Sequence, residues 1–208
     1  MIPPHKPQRR IWVAAPLWRI AFCLTPRAGS NAVLDAIGRA HGIAGLRTWG
    51  EHNPLAALTL DEVNRFVPHW PRVMLLRNPF DRLVAVYEYH VVANRIQTSF
   101  TLRALGFRSD DTFARFLDRA LADPEADEHL GLQSWQCDTV CEYLRFERLA
   151  DDWRGIEGRI GETLPALDRV NAVEGTRRPF LDYYDDEQRR RVERVYSLDL
   201  VQWGYSFR

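Results

Sequence analysis

The stretch Ile20-Ala21-Phe22-Cys23-Leu24-Thr25-Pro26-Arg27-Ala28-Gly29-Ser30-Asn31 decides how the chain is read. Its first five residues are almost wholly apolar, the pattern of a strand buried on both faces of a parallel sheet. Thr25-Pro26 ends the run, after which Val33, Leu34, Ile37 and Ala40 recur at helical spacing up to a stop near Gly42. The unit is therefore strand, tight loop, helix. Gly29 lets the backbone approach a ligand closely, and the amides of Ala28 to Asn31 point along the helix start as an anion cradle. Arg27 adds a cation to that cradle and Ser30 a hydroxyl.

A second unit of the same kind follows. Arg72-Val73-Met74-Leu75-Leu76-Arg77 reads as another buried strand and leads directly into Asn78-Pro79. Asn is a favoured N-cap, Pro a favoured first helical residue, and Asp81 places negative charge in the first turn, so a helix is predicted to start there. Its apolar stripe is Phe80, Leu83, Val84, Tyr87 and Val91, which predicts packing on the sheet, with Arg82 off the stripe. Gly45 to Trp49 is a candidate strand, and Leu60 to Val67 a short helix capped by Thr59. Residues 96–131 read as a helical insertion or lid: a polar loop, then an amphipathic helix carrying Phe113, Phe116, Leu117 and Leu121, stopped at Asp123-Pro124. Tyr143 to Phe146 is a third core strand, with Leu149, Trp153, Ile156 and Ile160 lining the helix after it. Asp185 with Gln188 opens a tail helix in the manner of a capping box. Strands alternating with helices predict an α/β fold with a mostly parallel central sheet.

Composition bounds the partners. The 208 residues carry 28 basic and 28 acidic side chains, a net charge of zero that argues against a dedicated nucleic-acid binder. No apolar run approaches the roughly 20 residues of a membrane span, and the N-terminus has no signal-peptide pattern, so a cytoplasmic protein is expected. Residues 1–18, rich in Pro and Arg, predict a surface arm, with a single domain from 19 to 208. Cys23, Cys137 and Cys141 form neither a disulfide framework nor a zinc signature; Cys137 and Cys141, four apart, are expected as packing residues on one helix face. The six histidines form no ligand cluster, and no metal is expected. The only lysine is Lys6, so any cation inside the fold is a planar guanidinium rather than a compact ammonium.

The first loop lacks GxxxxGK[ST] and so is not a nucleoside-triphosphate P-loop. Pro26-Arg27-Ala28-Gly29-Ser30-Asn31 instead resembles the 5′-phosphosulfate loop of sulfotransferases, P-K-x-G-[ST]-[ST]. Arg77-Asn78-Pro79-Phe80-Asp81-Arg82-Leu83-Val84-Ala85-Val86-Tyr87 is similar to that family's 3′-phosphate motif, R-[DN]-P-x-x-R-x-x-S-x-Y. Arg145 to Leu149 resembles its R-[FY]-E-x-L, and Asn171 with Tyr183-Tyr184-Asp185 its C-terminal region. The closing Val195 to Leu200, through Gly204-Tyr205, resembles the carbohydrate-type branch.

This resemblance implies a P-loop-like three-layer fold and transfer of a sulfuryl group from 3′-phosphoadenosine 5′-phosphosulfate (PAPS) to a carbohydrate or other small hydroxyl acceptor, without a metal. It implies that Pro26, Arg27, Ala28, Gly29, Ser30 and Asn31 hold the 5′ side of the donor. Arg77 and Arg82 then hold the 3′-phosphate, with Arg178 or Arg177 from the tail. The acceptor base of relatives comes from the segment after the first helix, where Glu51 and His52 stand here. His52 is favoured because its ordinary pKa lies near neutrality, with Glu51 as its orienter or as the alternative base. Two departures from the family pattern stand out: Arg27 replaces the lysine, and Ala85 replaces the serine. They motivate a rival reading as a catalytically impaired nucleotide-binding module. A small-molecule kinase on the same fold is the third.

Overall fold

A computed structural model of the protein describes residues 9–43, 57–136, 141–168 and 178–208. The chain packs as two compact units, one formed by residues 1–77 with 136–172 and the other by 78–135 with 173–208.

The first unit is built on a sheet that among the described residues has five strands: β1 (Trp12–Ala15), β2 (Ile20–Cys23), β3 (Ala57–Leu58), β4 (Arg72–Leu76) and β5 (Glu142–Arg145), in the order β3-β1-β2-β4-β5. β2 pairs parallel with β4, and β4 parallel with β5, with Cys23 opposite Met74 and Leu76 opposite Arg145. β1 runs antiparallel to both β2 and β3. The sheet is thus mixed, which corrects the mostly parallel sheet expected from sequence. The cause is the hairpin at the N-terminus: β1 and β2 are joined by four residues, too few for the crossover that a parallel pair needs. Within residues 9–18, expected as part of an arm, Ile11, Trp12, Val13 and Ala15 are buried. Their apolar run outweighs the Pro and Arg on either side.

Helices α1 (Ser30–Ala40) and α6 (Leu149–Ile160) share one apolar core with this sheet, where Val33, Leu34 and Ile37 meet Phe22, Leu75, Trp153 and Ile156. Short α2 (Leu60–Phe66) starts as predicted at Thr59, which forms a full capping box with Glu62. Cys23 is a free, fully buried thiol in β2, and burial pushes its pKa up. Cys141 lies directly before β5 and is disulfide-bonded, so it is not the helical packing thiol expected. Cys137 and the candidate strand at 45–49 lie outside the described residues.

The second unit is helical: α3 (Pro79–Tyr87), continued by a π-helical turn over Glu88–Val92, then α4 (Phe100–Ala104), α5 (Phe113–Ala122), α7 (Asp186–Val195) and α8 (Ser197–Trp203). α3 begins where the sequence predicts, with Asn78 Oδ1 accepting from Phe80 N–H at 3.1 Å. Its stripe of Phe80, Leu83 and Val84 packs with Leu102, Phe107, Phe116, Leu117, Val192 and Tyr196 in the core of this unit. Residues 96–131, expected as a lid, supply Ile96, Leu102, Phe113, Phe116 and Leu130 to that core. They form much of the body of the second unit. The polar loop expected ahead of α5 contains α4, capped by the Ser99 hydroxyl.

Candidate functional site

β2 and β4 are adjacent and parallel, so their C-terminal ends open on the same edge, the position where open α/β sheets bind ligands. The first loop leaves β2 at that edge. Pro26, Ala28 and Ser30 are buried, while Arg27, Gly29 and Asn31 are half-buried. Gly29 is the N-cap of α1 at φ +90°, a conformation that disfavours any side chain. A Cβ there would stand 2.6 Å from Leu149 Cδ2 and 3.5 Å from Phe146 Cδ2. The cradle is therefore closed from below by the start of α6, and only a bare backbone fits over it. The leading N–H groups of α1 have no intrahelical acceptor, and the helix dipole adds partial positive charge at the same point.

Arg27 has φ +64°, the left-handed region, which costs a non-glycine residue about 1–2 kcal/mol. Arg77, at the end of β4, donates from Nη1 to the Arg27 carbonyl at 2.7 Å. Its guanidinium carbon lies over the Phe146 ring, 3.8 Å from the centroid, and Arg77 as a whole is 5% exposed. The residue that the motif assigns to the 3′-phosphate thus also grips the backbone of the 5′ loop. Sequence reading overlooked Phe146 as a site residue; its signal was its place directly after β5, beside the end of the neighbouring strand β4.

In the second unit, Arg82 is 1% exposed and donates from Nη2 to the Gly131 carbonyl and, at 3.5 Å, to Leu130 O. The Arg82 fork is turned to these backbone carbonyls in the interior of the second unit. Around it stand two groups of the closing motif to which sequence reading gave no role. Asp199, fully buried in α8, accepts from the Gln133 and Ser134 amides at 2.8 and 2.9 Å. Burial raises its pKa, and the positive charge of Arg82 opposes that rise. Tyr196 donates its hydroxyl to Leu130 O at 2.5 Å, and burial pushes its pKa up. The turn at Gln133 and Ser134 is thereby clamped by Asp199. Arg178 is exposed, with its guanidinium 3.8 Å from the centroid of Tyr183, whose hydroxyl donates to Glu88. Glu51 and His52 lie outside the described residues.

With this arrangement in view, comparison with known families gives one match: the sulfotransferase family model covers residues 47–206, more than half of the chain. The chain belongs to the sulfotransferase family. Its reaction class is sulfuryl transfer, and the protein is an enzyme of that class. The matched span takes in the Arg77 motif, the Arg145 motif and the tail, while the 25–31 loop precedes it. Neither the curated proteins nor the solved structures contain a match. No helix among the described residues is long and apolar enough to cross a membrane.

Proposed function

We propose that this sulfotransferase draws its sulfuryl group from PAPS and delivers it to a hydroxyl of a carbohydrate or another small acceptor. The observation that carries this reading is the glycine-floored loop at the β2 edge, with Arg77 of the neighbouring parallel strand bonded to it. Such a loop fits a phosphate that carries the sulfuryl group and then departs as the leaving group: amides of α1 and the Arg27 guanidinium supply fixed positive potential where the bridging oxygen gains charge as the S–O bond breaks. The donor brings an already activated sulfuryl group, so the protein's task is alignment and charge neutralisation rather than covalent catalysis.

Within that scheme Pro26 and Ala28 shape the loop, while Gly29, Ser30 and Asn31 present amides and a hydroxyl. Arg27 stands where family members carry lysine; a guanidinium stabilises the same charge with a wider fork. Arg77 is assigned to the 3′-phosphate, and Arg178 to the same group on the motif alone. His52 takes the acceptor proton, with Glu51 orienting it or serving in its place.

Calorimetry with 3′-phosphoadenosine 5′-phosphate tests the donor assignment: saturable binding in the micromolar to millimolar range is expected, and its absence overturns the reading. Labelled sulfate transferred to a hydroxyl acceptor, and lost in Arg27→Ala, tests turnover. His52→Ala should retain the nucleotide and lose about a hundredfold or more in rate; full activity in that variant would move the base to Glu51. Arg27 and Ala85 favour one rival, a module that binds the nucleotide without turning it over. Nucleotide binding with no transfer to any acceptor would establish that rival.

A further inference from the structure

We propose that Arg77 is a positioning residue for the first loop: stacked on Phe146 and bonded to the Arg27 carbonyl, it holds the 5′ cradle in its binding shape before any ligand arrives. This rests on the reading of residues 25–31 as the donor's 5′ site. Three observations converge on it. Arg27 sits in the left-handed region, a conformation that needs an external hold, and its carbonyl is the group that Arg77 engages at 2.7 Å. Arg77 is itself held, 5% exposed and with its guanidinium carbon 3.8 Å over an aromatic face, so its fork is aimed rather than sampled. Phe146 and Leu149 also line the position where a Gly29 Cβ would fall, so one cluster supports the loop both at Arg27 and at Gly29. The loop is only a few residues long between β2 and α1, and a charge-assisted bond to its middle restricts the backbone on both sides.

A simple 3′-phosphate ligand and a loop-positioning residue differ in what their removal does to a ligand that has no 3′-phosphate. If Arg77 only grips the 3′-phosphate, Arg77→Ala weakens adenosine 3′,5′-bisphosphate and leaves adenosine 5′-phosphate untouched. If it positions the cradle, both ligands weaken. The pre-organised amides are lost to each of them alike, and a binding-competent loop that is rarely populated lowers every affinity by its population.

The experiment measures both nucleotides by calorimetry on the full chain as wild type, Arg77→Ala, Arg77→Lys and Phe146→Leu. It adds hydrogen exchange of the ligand-free proteins, and melting curves to confirm that each variant is folded. The expected result for Arg77→Ala is a loss of about tenfold or more for adenosine 5′-phosphate, the scale of one charge-assisted hydrogen bond. A smaller loss in the same direction is expected for Phe146→Leu, which leaves every charge in place. Arg77→Lys should fail to restore 5′-phosphate affinity, because an ammonium lacks the planar face that stacks on Phe146. Exchange should rise at residues 27–31 and not along β2, a local signature that a general loss of stability does not produce. The proposal is overturned if adenosine 5′-phosphate binds all four proteins equally while the bisphosphate alone suffers, or if exchange at 27–31 is unchanged in Arg77→Ala. If wild type binds neither nucleotide, the donor assignment fails. The exchange result then still decides whether Arg77 holds the loop, and Phe146→Leu decides it should Arg77→Ala not fold.

Discussion

Asp199 shows how a residue inside a family motif can be conformational rather than chemical. Its carboxylate takes two backbone N–H groups, one on each oxygen, and thereby fixes the turn at Gln133 and Ser134 beside the buried Arg82 fork. An amide offers only one acceptor oxygen, so Asp199→Asn turns an NH₂ against one of those N–H groups. The expected cost is about 1–3 kcal/mol, the penalty of a buried donor left without its partner. Urea denaturation of wild type and variant measures it, and coincident midpoints would refute the clamp. Arg27 is the opposite case, a non-glycine residue kept in the left-handed region within the proposed donor loop. Of these residues, Arg27 was legible from the loop's spelling. Asp199 was not, because nothing in Tyr196-Ser197-Leu198-Asp199 indicates that its partners lie some 65 positions earlier in the chain.

Local rules carried furthest for the helical elements. Asn78-Pro79 starts α3, Asp185 with Gln188 starts α7, and Thr59 with Glu62 starts α2, each where its cap residues stand. These signals act within four residues, so they survive whatever the rest of the chain does. The α2 cap also has a pH signature. The Thr59 backbone N–H, followed by Arg10, holds the Glu62 carboxyl below its usual range. A carboxyl depressed in the folded state adds stability that is present above its unfolded pKa of about 4.3 and lost as pH falls through the folded value. Wild type should therefore melt above Glu62→Gln at neutral pH, and that gap should close as pH drops below about 4. Melting curves across this range check the sign: a gap independent of pH would assign the cap no charge component. Strands were less legible. β1 was hidden by its Pro- and Arg-rich surroundings, and β3, with two residues, has no periodicity to read.

For the whole molecule, two compact units with separate apolar cores carry the motifs of one enzyme family. The proposed chemistry needs no divalent ion, since amides and guanidinium groups of the chain supply the positive charge. Sulfuryl transfer from PAPS is accordingly expected to proceed undiminished in excess EDTA. Loss of activity on chelation, with magnesium-dependent turnover of ATP, would favour the kinase alternative. Charge neutrality argued against a dedicated nucleic-acid binder, yet the 28 basic groups are not spread evenly in their effect: Arg27 and Arg77 meet at one sheet edge, whereas Arg82 is turned to carbonyls inside a core. By itself the sequence determined the strand-loop-helix order, the helix starts and the enzyme family. Each of these is written in residues close together along the chain. Tertiary structure alone decided that the sheet is mixed, that residues 96–131 contribute to a core, that the Arg82 fork is turned to the carbonyls of Leu130 and Gly131 and that Arg77 grips Arg27 across fifty positions. Those outcomes depend on which distant segments compete for the same buried space and the same hydrogen-bond donors, and short-range spelling carries no record of that competition.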